Sequence, residues 1–221
     1  MPSDSAPDET VGAAHARPAT ALPKRKRHHL MAERYSEPGS YFVTICTKDR
    51  KHLLGEVDEQ VCKLSWIGEV VNRCWLGVPA HLPNVSLDCY SIMPNHFHAL
   101  IWLNILSPPA YLAATHSLQA LAGRACAAPT VLTPTLESNP ARLPKVMNSF
   151  KSAVTREVNK RRSSPGETLW LDDYYDRVVR TEEELHEVRK YILENPLAWH
   201  YDRENSERIV NAPMSKWEPV Q

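Results

Sequence analysis

An antiparallel α+β domain is the fold class this sequence predicts, and three observations predict it. Runs of β-branched and aromatic residues at Tyr41 to Cys46 (YFVTIC), Val85 to Ile92 and His96 to Leu103 read as strands. The last two are separated only by the turn Met93-Pro94-Asn95, which makes them a hairpin. Apolar residues at helical spacing fall between the first strand and that hairpin, and again after it. The order strand, helix, strand, strand, helix, strands, helix does not alternate as a doubly wound parallel sheet would.

Taken in order, residues 1–34 are rich in Ala, Pro, Ser and charge without an apolar period, and read as a disordered arm with a basic end. Between Val61 and Trp75, Ile67, Val70, Val71, Cys74 and Trp75 fit one face of an amphipathic helix, which Pro79 and Pro83 end. In the strand from His96 to Leu103, Phe97, Ala99, Ile101 and Leu103 share one face, and His96, His98, Leu100 and Trp102 the other. Both faces carry apolar residues, so this strand is expected to be central and covered on both sides.

Residues 107–140 turn to Ala, Pro, Thr and Ser with almost no charge, the signature of an insertion. Val146, Phe150, Val154 and Val158 then recur every four residues along a helix. Leu169 to Leu171 and Tyr175 to Arg180 read as short strands. Thr181 and Glu184 form a capping-box signature for a final helix with Leu185, Val188 and Ile192 as its core stripe, ended by Pro196. The catalytic domain is expected over 35–205 and a tail over 206–221.

Composition narrows the class. Among 221 residues, 43% are hydrophobic and 24% charged, enough for a packed core. No apolar run reaches the length of a membrane span. The five cysteines form no C-x-x-C pair, which argues against a disulfide framework or zinc ribbon and for a reducing cytoplasm. Formal net charge is zero, yet Arg142 to Arg162 holds seven bases (Arg142, Lys145, Lys151, Arg156, Lys160, Arg161, Arg162) against Glu157. A second basic run, Lys24, Arg25, Lys26 and Arg27, lies in the N-terminal arm. Two basic patches on a neutral chain fit phosphate contacts; the plainer reading is a solvated helix face and a tail.

Two constellations carry chemistry. His96 and His98, two apart on a strand, face the same way and are close enough to share a divalent ion; alternatively they are two half-exposed histidines at a strand end. Tyr191 and Asn195, four apart on the last helix, share a face with Glu184 and Glu187 that is not the core stripe, so Tyr191 is expected on the solvent side. A phenol with a pKa of about 10 is a weak nucleophile at neutral pH. A divalent metal on a phosphodiester makes its attack feasible, with two imidazoles and an amide oxygen holding the ion. The product, a phosphotyrosine, conserves the energy of the broken bond for rejoining.

The segments YFVTICTKDR, SIMPNHFHALIWL, VMNSFKSAVTREVNK, DDYYDRVVRTEEEL and RKYILENP, in that order, resemble the single-tyrosine HUH transposases, and among them the REP-associated tyrosine transposases. The resemblance implies a ferredoxin-like antiparallel sheet flanked by helices. It implies His96 and His98 as metal ligands with Asn195 as the third, Mg²⁺ or Mn²⁺ as the ion, and Tyr191 as nucleophile. The implied partner is single-stranded hairpin DNA, cleaved to a 5′-phosphotyrosine and a free 3′-OH by a monomer or homodimer. Lys145, Lys151, Arg156, Lys160, Arg161 and Arg162, with Lys24 to Arg27, are the residues expected to grip it. Two other readings use overlapping features. A rolling-circle initiator or relaxase would use the Tyr174-Tyr175 pair, and a domesticated repressor would bind hairpins without cleaving them.

Overall fold

The computed structural model describes residues 37–104 and 141–205; the N-terminal arm with Lys24 to Arg27, the 107–140 insertion and the 206–221 tail lie outside them. Four strands, β1 (Gly39–Cys46), β4 (Val85–Ile92), β5 (His96–Leu103) and β6 (Tyr175–Val179), form one sheet in the order β4-β5-β1-β6. Every neighbouring pair is antiparallel. Helix α1 (Trp66–Leu76) joins β1 to β4, and α3 (Leu143–Arg162) joins β5 to β6. This is the βαββαβ arrangement of a ferredoxin-like fold. A final helix, α4 (Glu182–Glu194), is added to it.

Burial follows the period-two alternation of β5. Phe97, Ala99 and Ile101 pack with Val43 and Ile45 under α1 and α3, where Trp75, Phe97 and Phe150 meet with ring centroids 4.9 to 5.4 Å apart. The valine stripe of α3 belongs to the same layer. On the opposite face Phe42, Cys89 and Leu100 receive Leu185, Val188 and Ile192 of α4. Strand β5 is therefore central and doubly covered, as its two apolar faces predict.

Helix α4 is set on the sheet by polar ties as well as by its stripe. Thr181 Oγ1 accepts the Glu184 amide at 3.1 Å, and the Glu184 carboxylate accepts the Arg180 amide at 2.9 Å and the Arg177 guanidinium at 2.8 Å. Midway along, Arg189 donates through Nε at 2.9 Å and Nη2 at 2.5 Å to the two oxygens of Asp88, which also accepts Trp102 Nε1. Asp88 reaches this position because a bulge sets Asp88 and Cys89 against one residue of β5, the register passing from Leu87↔Ile101 to Tyr90↔Ala99.

Several local expectations are corrected. Val61 begins no helix: Val61–Leu64 is strand β3, paired with β2 (Gly55–Asp58) in a small hairpin, and α1 starts only after Ser65 caps it. The alternation of that short hairpin was masked by the helical period that follows it. Pro79 stands in the first turn of a short helix α2 (Val78–His81), where its missing N–H is not needed. Leu169 to Leu171 contributes only an isolated bridge between Trp170 and Thr47.

Gly68 is a packing requirement. A Cβ at this position in α1 would stand 2.0 Å from the Leu54 carbonyl oxygen, a backbone atom bonded to the Ser65 amide. Helix propensity alone favours Gly68→Ala by about 1 kcal/mol. We expect the reverse, a loss of roughly 1–3 kcal/mol from forced overpacking, read as a lower urea midpoint at unchanged slope.

Candidate active site

The side chains of His96 and His98 leave β5 toward α4 and are completely buried, with ring centroids 4.4 Å apart. They are not half-exposed histidines at a strand end. Each is oriented through its Nδ1. Asn95 donates its amide N–H groups to the carbonyls of Glu204 at 2.5 Å and Arg50 at 3.2 Å, so its Oδ1, 2.9 Å from His96 Nδ1, is an acceptor. His96 then donates through Nδ1, and its Nε2 is the ring atom turned toward Asp202. For His98 the same tautomer lets Nδ1 donate to Thr44 Oγ1 at 2.8 Å, and Nε2 accept the Tyr191 hydroxyl at 3.3 Å. Burial, with His96 adding to it, holds the His98 pKa well below the ordinary histidine value, so the ring is neutral and a competent metal ligand.

Tyr191 does not lie on the solvent side of its helix. Its ring is half-buried, edge-on to Phe42 at 6.0 Å and to His98 at 5.1 Å. Val188, Tyr191, Ile192 and Asn195 form one i, i+3, i+4, i+7 stripe, so Tyr191 and Asn195 flank the core stripe instead of opposing it. Asn195 is the C-terminal cap of α4 and is buried.

The acid that completes the cluster, Asp202, was not among the expected residues. The ligand atoms of His96, His98 and Asp202 all lie within 4.8 Å of one another. Asp202 Oδ2 is 3.6 Å from His96 Nε2 and accepts Asn195 Nδ2 at 2.9 Å, while Oδ1 accepts the Glu204 amide at 2.7 Å. Asn195 thus holds Asp202, and its own Oδ1 is buried without a hydrogen bond, as is His96 Nε2. The segment after Pro196 is fastened here by Trp199, which packs on His96 and His52, and by Glu204, which pairs with Arg50 and accepts the Cys46 thiol. An acid shortly after Pro196, in an aromatic stretch, was the available signal. Its burial depends on where the segment folds, which no local pattern encodes.

These groups fit a divalent cation. His96 Nε2, buried without a hydrogen bond, stands 3.6 Å from Asp202 Oδ2, and the described residues place no lysine or arginine against Asp202. A buried carboxylate with no lysine or arginine against it is costly, and a metal ion among His96, His98 and Asp202 would supply positive charge there. Neutral imidazoles with an oxygen ligand suit first-row divalent ions, while Mg²⁺ favours oxygen and water.

The basic residues lie elsewhere. Helix α3 covers the face opposite the histidines, so its bases do not flank Tyr191. Lys145, Arg156, Lys160, Arg161 and Arg162 are exposed along it. The Arg161 and Arg162 guanidinium groups stand 4.5 and 5.7 Å from the Trp66 ring centroid. Lys151 is half-buried and donates to the carbonyls of Leu171 at 2.7 Å and Asp172 at 2.8 Å, a tether for the loop before β6.

No family model matches the chain. It is 28% identical over 182 residues to an uncharacterized protein of Haemophilus influenzae, covering 81% of this chain and 92% of that one. Among solved structures, a REP-associated tyrosine transposase bound to a REP hairpin aligns with a TM-score of 0.46 at 12% identity, over 80% of this chain and 74% of that one. A candidate transposase of Deinococcus radiodurans aligns with a TM-score of 0.37 at 17% identity, over 78% of this chain and 97% of that one.

The cluster makes a direct prediction for calorimetric titration with Mn²⁺. Asp202→Ala should weaken binding more than Asn195→Ala, which removes only the group holding Asp202 and should cost roughly tenfold. Wild-type affinity in Asp202→Ala would exclude Asp202 from the ligand set.

Proposed function

We propose that this protein is a metal-dependent single-stranded DNA endonuclease and strand transferase of the single-tyrosine HUH transposase type, cleaving and rejoining hairpin, REP-like DNA through a 5′-phosphotyrosine. The observation that carries the reading is the Tyr191 hydroxyl 3.3 Å from His98 Nε2, at the rim of a buried two-histidine, one-aspartate cluster. The hairpin substrate follows from the sequence resemblance alone.

In this reading His96, His98 and Asp202 would hold Mg²⁺ or Mn²⁺, the His98 Nε2 lone pair exchanging the Tyr191 hydroxyl for the ion, with Asn195 securing Asp202. Bound there, the ion would polarise a phosphodiester oxygen and stabilise the charge that develops on it. Tyr191 Oη attacks phosphorus, the bond to the 3′ oxygen breaks, and the phenolic proton leaves as the departing strand gains one to become a 3′-OH. Reversal with a different 3′-OH rejoins the strands, with no external energy source. Phe42 and the α4 stripe keep the phenol against His98 before substrate arrives, which reduces the ordering required at the reactive step.

The two-tyrosine alternative finds less support. Tyr174 packs with the α1 and α3 layer and Tyr175 with the α4 layer, so the adjacent tyrosines face opposite sides of the sheet. A non-catalytic repressor would need no nucleophile held at a cation-competent cluster.

The test is adduct formation on hairpin oligonucleotides with single-stranded flanks. Tyr191→Phe should abolish both cleavage and the covalent adduct on denaturing gels, because it removes one oxygen and keeps the ring contacts. His96→Ala should do likewise while retaining hairpin binding. An adduct of normal yield in Tyr191→Phe would refute the assignment.

Binding makes a separate prediction. Neutralising Arg156 and Lys160 should flatten the salt dependence of single-strand binding by roughly 0.7 log units for each phosphate they would otherwise neutralise. Lys151→Met should lower stability with no change in salt slope, because its ammonium is committed to two carbonyls.

A further inference from the structure

One aromatic side chain on the histidine face has no part in the chemistry above. Tyr175 begins the edge strand β6 and stands directly across β1 from His98: Thr44 is the register partner of both. His98, Thr44 and Tyr175 therefore form one cross-strand row from the metal cluster to the edge of the sheet. Helix α4 packs over β4 and β5, and at the β6 end of this row Tyr175 remains only half-buried. Phe42 lies beside the row with the Tyr191 ring at 6.0 Å and the Tyr175 ring at 6.1 Å, both edge-on. Arg177, two residues along β6 on the same face, is half-buried and held by Glu184.

We infer that Tyr175 is a base-stacking platform, on which a nucleobase next to the scissile phosphate lies while that phosphate sits against Tyr191 and His98. The inference rests on the function proposed above and names a residue that positions its substrate. A half-buried aromatic ring at a sheet edge, with an arginine two residues away, has the composition that binds single strands without sequence readout. A base drawn out of its neighbours' stack when a single strand is bound regains stacking on such a ring. Burial raises the Tyr175 phenol pKa, so the ring stays neutral beside the strand. The hydroxyl is not required for stacking, so Tyr175→Phe should behave as wild type and Tyr175→Leu should not.

The experiment uses the full chain, in EDTA to prevent cleavage, with short oligodeoxythymidines carrying one 2-aminopurine at each position in turn. With wild type, 2-aminopurine fluorescence should be quenched at one position or two adjacent ones. Tyr175→Phe should keep that quenching. Tyr175→Leu should lose it and bind roughly tenfold more weakly by anisotropy, since stacking on one aromatic side chain is worth about that much. Circular dichroism and retained Mn²⁺ binding would show that Tyr175→Leu is folded. Unchanged quenching and affinity in Tyr175→Leu would overturn the inference while leaving the phosphotyrosine chemistry intact. No binding of these oligodeoxythymidines by wild type would overturn the inference, and adduct formation by wild type on hairpins, tested separately, decides whether the phosphotyrosine chemistry stands. Loss of quenching in Tyr175→Phe as well would assign the effect to the hydroxyl and overturn stacking.

Discussion

Burial of β5 on both faces is the constraint that the rest of the site depends on. Phe97, Ala99 and Ile101 commit one face to the α1 and α3 layer, so His96, His98 and Leu100 are forced under α4. Because the period of a strand is two, the histidines cannot leave that face without removing Phe97 from the opposite core. Leu100 and Phe42 then fix the α4 stripe, and the helical period carries Tyr191 and Asn195 to the same end of the sheet as the imidazoles. The Asp88–Arg189 pair sets how far along the sheet the helix lies. The distance from phenol to imidazole is thus determined by the packing of two layers, and no loop among the described residues has to close to create it.

Charge in this buried corner is only partly balanced by protein groups. Arg50 compensates Glu204, whereas Asp202 has no lysine or arginine against it among the described residues and stands 3.6 Å from His96 Nε2 without a hydrogen bond. A cation there would link β5 to the segment after α4, two regions more than a hundred residues apart in the chain. Metal binding would accordingly stabilise the folded chain as well as enable chemistry, since an ion that binds only the folded state shifts the folding equilibrium toward it. The opposite face, with α3 and the Trp66–Arg161 contact, is a separate surface. Nucleic acid gripped by α3 has to pass around the sheet to reach Tyr191.

The layer order and the doubly covered strand were legible in the sequence because they rest on periodicity. Phe97 and its even-spaced partners against His96 and His98 already state which face each belongs to, and Thr181 states where α4 begins. The direction of Tyr191 is not legible in the sequence: Leu185, Val188 and Ile192 mark the core stripe, and only the packing on Phe42 and His98 shows that Tyr191 flanks it. Asp202 was not legible, because its place depends on Trp199 and Glu204 folding back onto β1 and β5, a long-range contact without a local signal. The α3 bases were visible as charge, yet charge along a helix does not reveal which face of a sheet that helix covers. Lys151 shows the same limit, since only the fold tells a tethering lysine from an exposed one.

In the proposed chemistry the phenol oxygen beside His98 becomes joined to DNA. The most direct test is to trap the protein with a hairpin oligonucleotide in Mn²⁺, digest with trypsin and sequence the nucleotide-bearing peptide by tandem mass spectrometry. Trypsin cuts after Lys190 and Arg203, and the adduct is expected on the Tyr191–Arg203 peptide, with fragment ions placing it on Tyr191 and not on Tyr201. DNA on the peptide that carries Tyr174 and Tyr175 would contradict it.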